Sequence, residues 1–294
     1  MWFVFAILTF LAWGIADLFY KKSNERNEEY SHLKTSIIVG LVMGIHALIY
    51  YFVKGVDISF MDILKYLPVS LCYIISMVIG YKGLKYINLS ISSPIQNTSG
   101  FVTSILLCII FKEMLSISEI LGLLFMFIGV VFLTFIEIRS NKEHQSLISK
   151  IKIITILFPI LYCIIDGLGT FLDAVYLDHL TLISEDAALI AYEVTFFVYG
   201  LIIYLYLRLF KKSKLSLFKE KNKICASLFE TLGQFTYVYA MSSNSIIAVP
   251  IVACYSAFSV LLSRIFLKEK LTILEYIGLI IIFIGIVVLA IFEG

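Results

Sequence analysis

ISSPIQNTSGFVTSILLCIIFKEMLSISEILGLLFMFIGVVFLTFIE, residues 91–137, is written a second time as IAVPIVACYSAFSVLLSRIFLKEKLTILEYIGLIIIFIGIVVLAIFE, residues 247–293. The two align without a gap at a constant offset of 156 residues, with Pro94 on Pro250, Lys112-Glu113 on Lys268-Glu269, Glu119 on Glu275, and Gly122 and Gly129 on Gly278 and Gly285. A match this long without an insertion marks a duplication. Each copy reads as a helical hairpin: an apolar run opened by a proline, a short Lys-Glu turn, and a second apolar run. A proline in the first helical turn costs little, because its missing N–H would be unpaired there anyway. The glycines of each copy lie seven residues apart. That is two turns, so they share one face, and such small-residue faces let membrane helices approach closely.

Composition sets the class. With 61% hydrophobic residues and only 15% charged, and a mean hydropathy of +0.98, the chain lacks the polar surface that a soluble domain needs. A helix crosses a bilayer with about 20 mostly apolar residues. Ten stretches qualify, near 2–20, 34–53, 65–86, 91–111, 117–137, 152–177, 184–209, 222–241, 246–266 and 272–292. The first is followed by Lys21-Lys22 and has no basic start or small-residue cleavage site, so it reads as a retained helix rather than a signal peptide. A net charge of +2 without a basic patch interleaved with aromatics sets nucleic acid aside. The cysteines Cys72, Cys108, Cys163, Cys225 and Cys254 lack the paired spacing of a metal or redox site and read as small apolar fillers. No cofactor and no metal are expected.

Polar residues inside the apolar stretches fall on stripes. The first stretch carries Trp13-Gly14 and Asp17, with Trp13 and Asp17 four residues apart on one face. The second carries His46 and Tyr50, the histidine reading as a hydrogen-bonded packing residue, and the third opens at Pro68. The fourth shows Ser93, Gln96, Asn97, Gly100 and Ser104. After a charged linker, residues 139–151, helical spacing lines up Tyr162, Asp166, Thr170 and Asp173. Glu185 and Asp186 stand at the mouth of the seventh stretch and Glu193 inside it, and the eighth aligns Glu230, Gln234 and Tyr237. The ninth offers Ser256, Ser259 and Ser263, while the fifth and tenth offer almost nothing polar.

The repeated proline run, the turns Glu113-Met114-Leu115 and Glu269-Lys270-Leu271, the paired-glycine helices that follow and the Trp13-Gly14 pair resemble the drug/metabolite transporter superfamily, EamA type. The resemblance covers nearly the whole chain. It implies ten transmembrane helices in two inverted five-helix repeats, residues 1–138 and 152–294, around a central cavity, with the fifth and tenth helices outside. Lys112 and Lys268 depart from the pattern, since many related chains place a small residue before each turn glutamate. A repeat of five helices is odd, so the second copy must enter the bilayer from the opposite side, which is the inverted plan of secondary transporters with their midplane site.

Function follows from the acids. A carboxylate near the bilayer centre costs about 2.5 to 3.5 kcal/mol on insertion scales and is functional by default. Asp17, Asp166, Asp173, Glu193 and Glu230 together exceed what decoration would bear. Singly, Asp17 has a second reading as the partner of Lys21, and Asp173, Glu193 and Glu230 a second reading as interfacial. The expected substrate-binding set is Trp13, Asp17, Gln96, Asn97, Tyr162, Asp166, Thr170, Asp173, Glu193, Glu230, Gln234 and Tyr237. The expected function is a secondary transporter in the cell membrane, an exporter of a small organic metabolite or drug-like molecule. A cavity richer in acids than bases favours a cationic or zwitterionic solute and makes a proton the candidate coupling ion. The alternatives are an intramembrane enzyme, for which no aspartyl-protease, His-Glu-x-x-His or Gly-x-Ser-x-Gly pattern is present, and a non-transporting scaffold. No phosphate-binding Gly-rich loop ending in Lys-Ser/Thr calls for ATP. Lysine and arginine crowd the loops after odd-numbered stretches, which by the positive-inside rule places both termini outside.

Overall fold

The computed structural model describes residues 1–23, 30–83, 89–112, 114–140, 153–213, 215–266 and 271–293. Among them the regular structure is helical, with no strand. The helices are α1 (Trp2–Ser23), α2 (Ser31–Lys54), α3 (Phe60–Gly83), α4 (Leu89–Phe111), α5 (Ile117–Ser140), α6 (Ile153–Ala174), α7 (Glu185–Leu209), α8 (Lys221–Met241), α9 (Ser245–Ala253), α10 (Tyr255–Phe266) and α11 (Ile273–Glu293). Seven continuous stretches are long and apolar enough to cross a membrane: Trp2–Tyr20, Ser31–Lys54, Phe60–Gly83, Leu157–His179, Glu185–Leu209, Ser245–Leu262 and Ile273–Ile291. Shorter apolar helices run over Thr98–Phe111 and Ile117–Leu133. Most of the linker, Glu113 and the Lys268-Glu269-Lys270 turn lie outside the described residues.

Three boundaries differ from the sequence reading. Pro68 lies inside α3, which begins at Phe60 rather than at the proline. Pro250 likewise sits inside α9 rather than at its opening, and the ninth apolar stretch breaks at Cys254 into α9 and α10. Pro250 has no N–H, so the carbonyl of Ile246 lacks its helical partner. The Ser104 hydroxyl of α4 donates to that carbonyl at 2.7 Å. Lys112 has φ 56. In that left-handed region a side chain costs about 1 to 2 kcal/mol and glycine almost nothing.

The glycine faces meet each other. A Cβ on Gly122 would stand 2.6 Å from Leu289 Cγ and 3.2 Å from the Gly285 carbonyl, and one on Gly129 would stand 2.5 Å from Ile282 Cγ1 and 3.1 Å from the Gly278 carbonyl. As residue numbers rise along α5 they fall along α11, so the two duplicated helices cross antiparallel through their shared small-residue stripe. Other equivalent helices meet the same way. In α2 and α7, Gly40 packs on Phe196 and Gly200, and His46 bonds Glu193. In α4 and α9, Gly100 packs on Val249 and Ala253. The first helix of one half also packs on the third of the other, α1 on α8 and α3 on α6.

Candidate functional site

The helices leave a cavity of about 140 Å³ between the halves, lined from α1, α3, α4, α6, α7, α8, α9 and α10. Three carboxyls line it, Asp17, Asp166 and Glu230, beside the polar side chains of Gln96, Ser99, Thr170 and Gln234, and no Lys, Arg or His is among its described lining residues. Trp13 and seven tyrosines make up its aromatic part, and Met77, Val249, Val252 and Ala253 add aliphatic surface.

Asp166 is held by two serines. Thr170 and Tyr162, one helical turn to either side on α6, keep this face inward, and the close approach of Gly80 to the Tyr162 ring seats α3 against it. The Ser76 and Ser99 hydroxyls, from α3 and α4, donate to the Asp166 carboxyl at 3.3 and 3.0 Å. Asp17 accepts from Ser259 of α10 at 2.5 Å. Gly14 makes that pairing of α1 with α10 possible, since a Cβ there would come within 2.7 Å of the Phe258 ring. Trp13 lies over Gly233, where an added Cβ would fall 2.3 Å from the indole. Its N–H donates to the Glu230 carbonyl at 3.3 Å, and its ring packs 5.1 Å from Tyr237. No hydrogen bond reaches the Glu230 carboxyl itself among the described residues.

Nine of the twelve residues singled out from the sequence therefore line one cavity: Trp13, Asp17, Gln96, Tyr162, Asp166, Thr170, Glu230, Gln234 and Tyr237. The other three do not. The side chain of Asn97 lies outside the described residues. Asp173 is fully buried beneath the cavity, where Tyr66 donates to one oxygen and Tyr73 to the other at 3.4 Å. Tyr73 joins this layer to the cavity through Thr170 at 3.2 Å and Tyr237 at 3.0 Å. Glu193 faces α2 instead, with both oxygens 2.8 Å from His46 Nδ1. The placements of Asp173 and Glu193 correct the single-cavity expectation. Helical spacing gives the azimuth of a side chain but not its depth, and each acid found a partner on a helix remote in sequence.

Tyr20, Tyr73, Tyr81, Tyr192 and Tyr255 also line the cavity and were not singled out. One signal was available, the seven-residue interval from Tyr66 to Tyr73 and its continuation four and seven residues on to Met77 and Gly80 along one face of α3. At one end of the bundle a second polar cluster ties the halves. Tyr50 and Tyr239 donate to Asp186 at 2.7 and 2.5 Å, and Lys54 stands 3.6 Å from it. Asp186 lies in the first turn of α7, where a carboxylate is favoured by the helix dipole. Among the described residues no group of three His, Cys, Asp or Glu side chains is placed to hold a metal ion.

The family model described as "EamA-like transporter family" matches residues 1–135 and 154–291. No curated protein matches the chain. Among solved structures, one described only as a crystal structure of a protein superposes with a TM-score of 0.70 over 99% of this chain and 96% of its own, at 12% identity. Identity that low carries the fold alone.

Proposed function

The chain belongs to the EamA-like transporter family, and from that membership we propose that it is a secondary transporter exporting a small cationic or zwitterionic organic molecule across the cell membrane. The site is the cavity between residues 1–138 and 152–294. The antiparallel meeting of α5 with α11, α2 with α7 and α4 with α9 supports two five-helix repeats of opposite orientation, ten crossings in all, with α9 and α10 forming one broken crossing. Unwound or broken helices at the midplane are where such carriers build their sites.

The observation that carries this reading is the gathering of Asp17, Asp166 and Glu230 in one cavity whose described lining includes no Lys, Arg or His. Intramembrane acids are expensive, and those facing an internal cavity mark substrate and proton paths. The proton is the coupling ion in this account: a cavity carboxyl releases it as the solute binds and takes it back as the solute leaves. The two halves rock about the site and expose it to each side in turn.

Transport by purified protein in sealed vesicles tests the reading. Asp166→Asn keeps the shape of the side chain and both serine contacts, so it should express normally, lose transport, and lose the pH dependence of whatever exchange remains. Normal transport by Asp166→Asn across the pH range contradicts the reading.

A further inference from the structure

The five intramembrane acids are not equivalent. Ser76 and Ser99 hold Asp166, Ser259 holds Asp17, Tyr66 and Tyr73 hold Asp173, and His46 holds Glu193. The Glu230 carboxyl faces the cavity with no hydrogen-bond partner among the described residues. Trp13, Tyr20, Tyr81 and Tyr255 line the same cavity. A carboxyl amid aromatic faces, giving up its proton as the cation arrives, is an environment that draws an alkylammonium, which gains both the charge and the ring quadrupoles.

Other groups in the same cavity also lack partners. Gln234 is 2% exposed, and its Nε2 finds no partner among the described residues. Gln96 Nε2 likewise finds no partner among the described residues. A buried donor without a partner is costly to keep. A bound molecule with an acceptor oxygen would satisfy it. Turning either amide around would only add acceptors to a cavity whose carboxyls already supply them in excess.

The acceptor must be neutral. Gln96 lies three residues before Ser99 on one face of α4, and Ser99 is bonded to Asp166. A carboxylate reaching the Gln96 amide would therefore stand beside the Asp166 carboxyl, with like charges opposed in a medium that screens them little.

Resting on the carrier reading, we propose that the solute is a small organic monocation of the alkylammonium class with a neutral acceptor oxygen, its charge seated at Glu230 and its oxygen at Gln96 and Gln234. The chain has two tryptophans, and Trp2 is outside the cavity, so a Trp2→Phe background makes Trp13 emission a reporter of the site. Purified full-length protein is titrated with tetramethylammonium, choline, acetylcholine, glycine betaine and 3,3-dimethylbutanol, the uncharged shape of choline. Choline and acetylcholine should change Trp13 emission saturably, with betaine and the neutral alcohol at least about tenfold weaker. Glu230→Gln should weaken acetylcholine at least about tenfold. Gln234→Leu should weaken acetylcholine but spare tetramethylammonium. Betaine binding as tightly as choline, unchanged acetylcholine affinity in Glu230→Gln, or no binding by any probe overturns the inference. The comparison of choline with betaine on the Glu230-bearing chain decides the matter even if a variant misfolds. Betaine binding with the cations rejected would overturn the cation assignment while leaving the carrier reading in place.

Discussion

Glu193 is fully buried in α7, and both of its oxygens lie 2.8 Å from His46 Nδ1 on α2, whose own side chain is 32% exposed. Removing the imidazole leaves a buried carboxyl without its partner. His46→Phe should therefore cost about 1 to 3 kcal/mol of stability, seen as a lower thermal midpoint in detergent. Adding Glu193→Leu to it should recover part of that loss, because replacing both partners by apolar groups removes the unpaired group altogether. A double variant no more stable than His46→Phe would show that the pair does not hold the α2–α7 contact. Much of this scale was legible in the sequence. The α6 stripe of Tyr162, Asp166 and Thr170 needs only helical spacing and reappears on the cavity wall. Glu193 was not legible, because its partner is 147 positions away and nothing in either local sequence names the other. The tyrosine wall was passed over for a different reason: tyrosine is ordinary in apolar helices, and only convergence from several helices makes it a cage.

At the scale of the element, glycine spacing decides how α5 and α11 cross. A Cβ on Gly285 would meet backbone, at 2.7 Å from the Gly122 carbonyl and 2.9 Å from the Met126 nitrogen. Backbone has little room to give, so Gly285→Leu should separate the helices and cost about 3 kcal/mol. Gly167 on α6 is the control. A Cβ there has no neighbour closer than 3.6 Å, and Gly167→Ala should be neutral or stabilise by up to about 1 kcal/mol. Equal losses of thermal midpoint in the two variants would remove the small-residue stripe as the cause of the close crossing. The duplication announced this contact, since the glycines repeat at the same offset in both copies. The break at Cys254 was hidden, because the hydrophobic run continues through it. Whether a proline opens a helix or interrupts one depends on where the preceding residues begin to coil, and apolar composition alone does not fix that.

For the whole molecule, the sequence conveys membrane class and duplication well, because both follow from composition and from self-similarity. Which helices touch across the halves is not written in either copy. It depends on the pairing of α1 with α8, α3 with α6 and α2 with α7, all set by side chains far apart in the chain. Orientation follows from charge. The loops after odd-numbered apolar stretches hold most of the lysines and arginines, including Lys211 and Lys212 after α7. We therefore expect a C-terminal reporter that functions only in the cytoplasm to stay dark, and strong signal would reverse the topology. The central claim is that one cavity between the halves serves both sides of the membrane. Met77 lines that cavity from α3. With the five native cysteines replaced by alanine and Met77→Cys introduced, a membrane-impermeant thiol reagent is applied to one side of sealed vesicles and then to the other. The account predicts labelling of this position from each side. Labelling from one side only, under every solute and pH tried, would contradict it and leave a binding scaffold in place of a carrier.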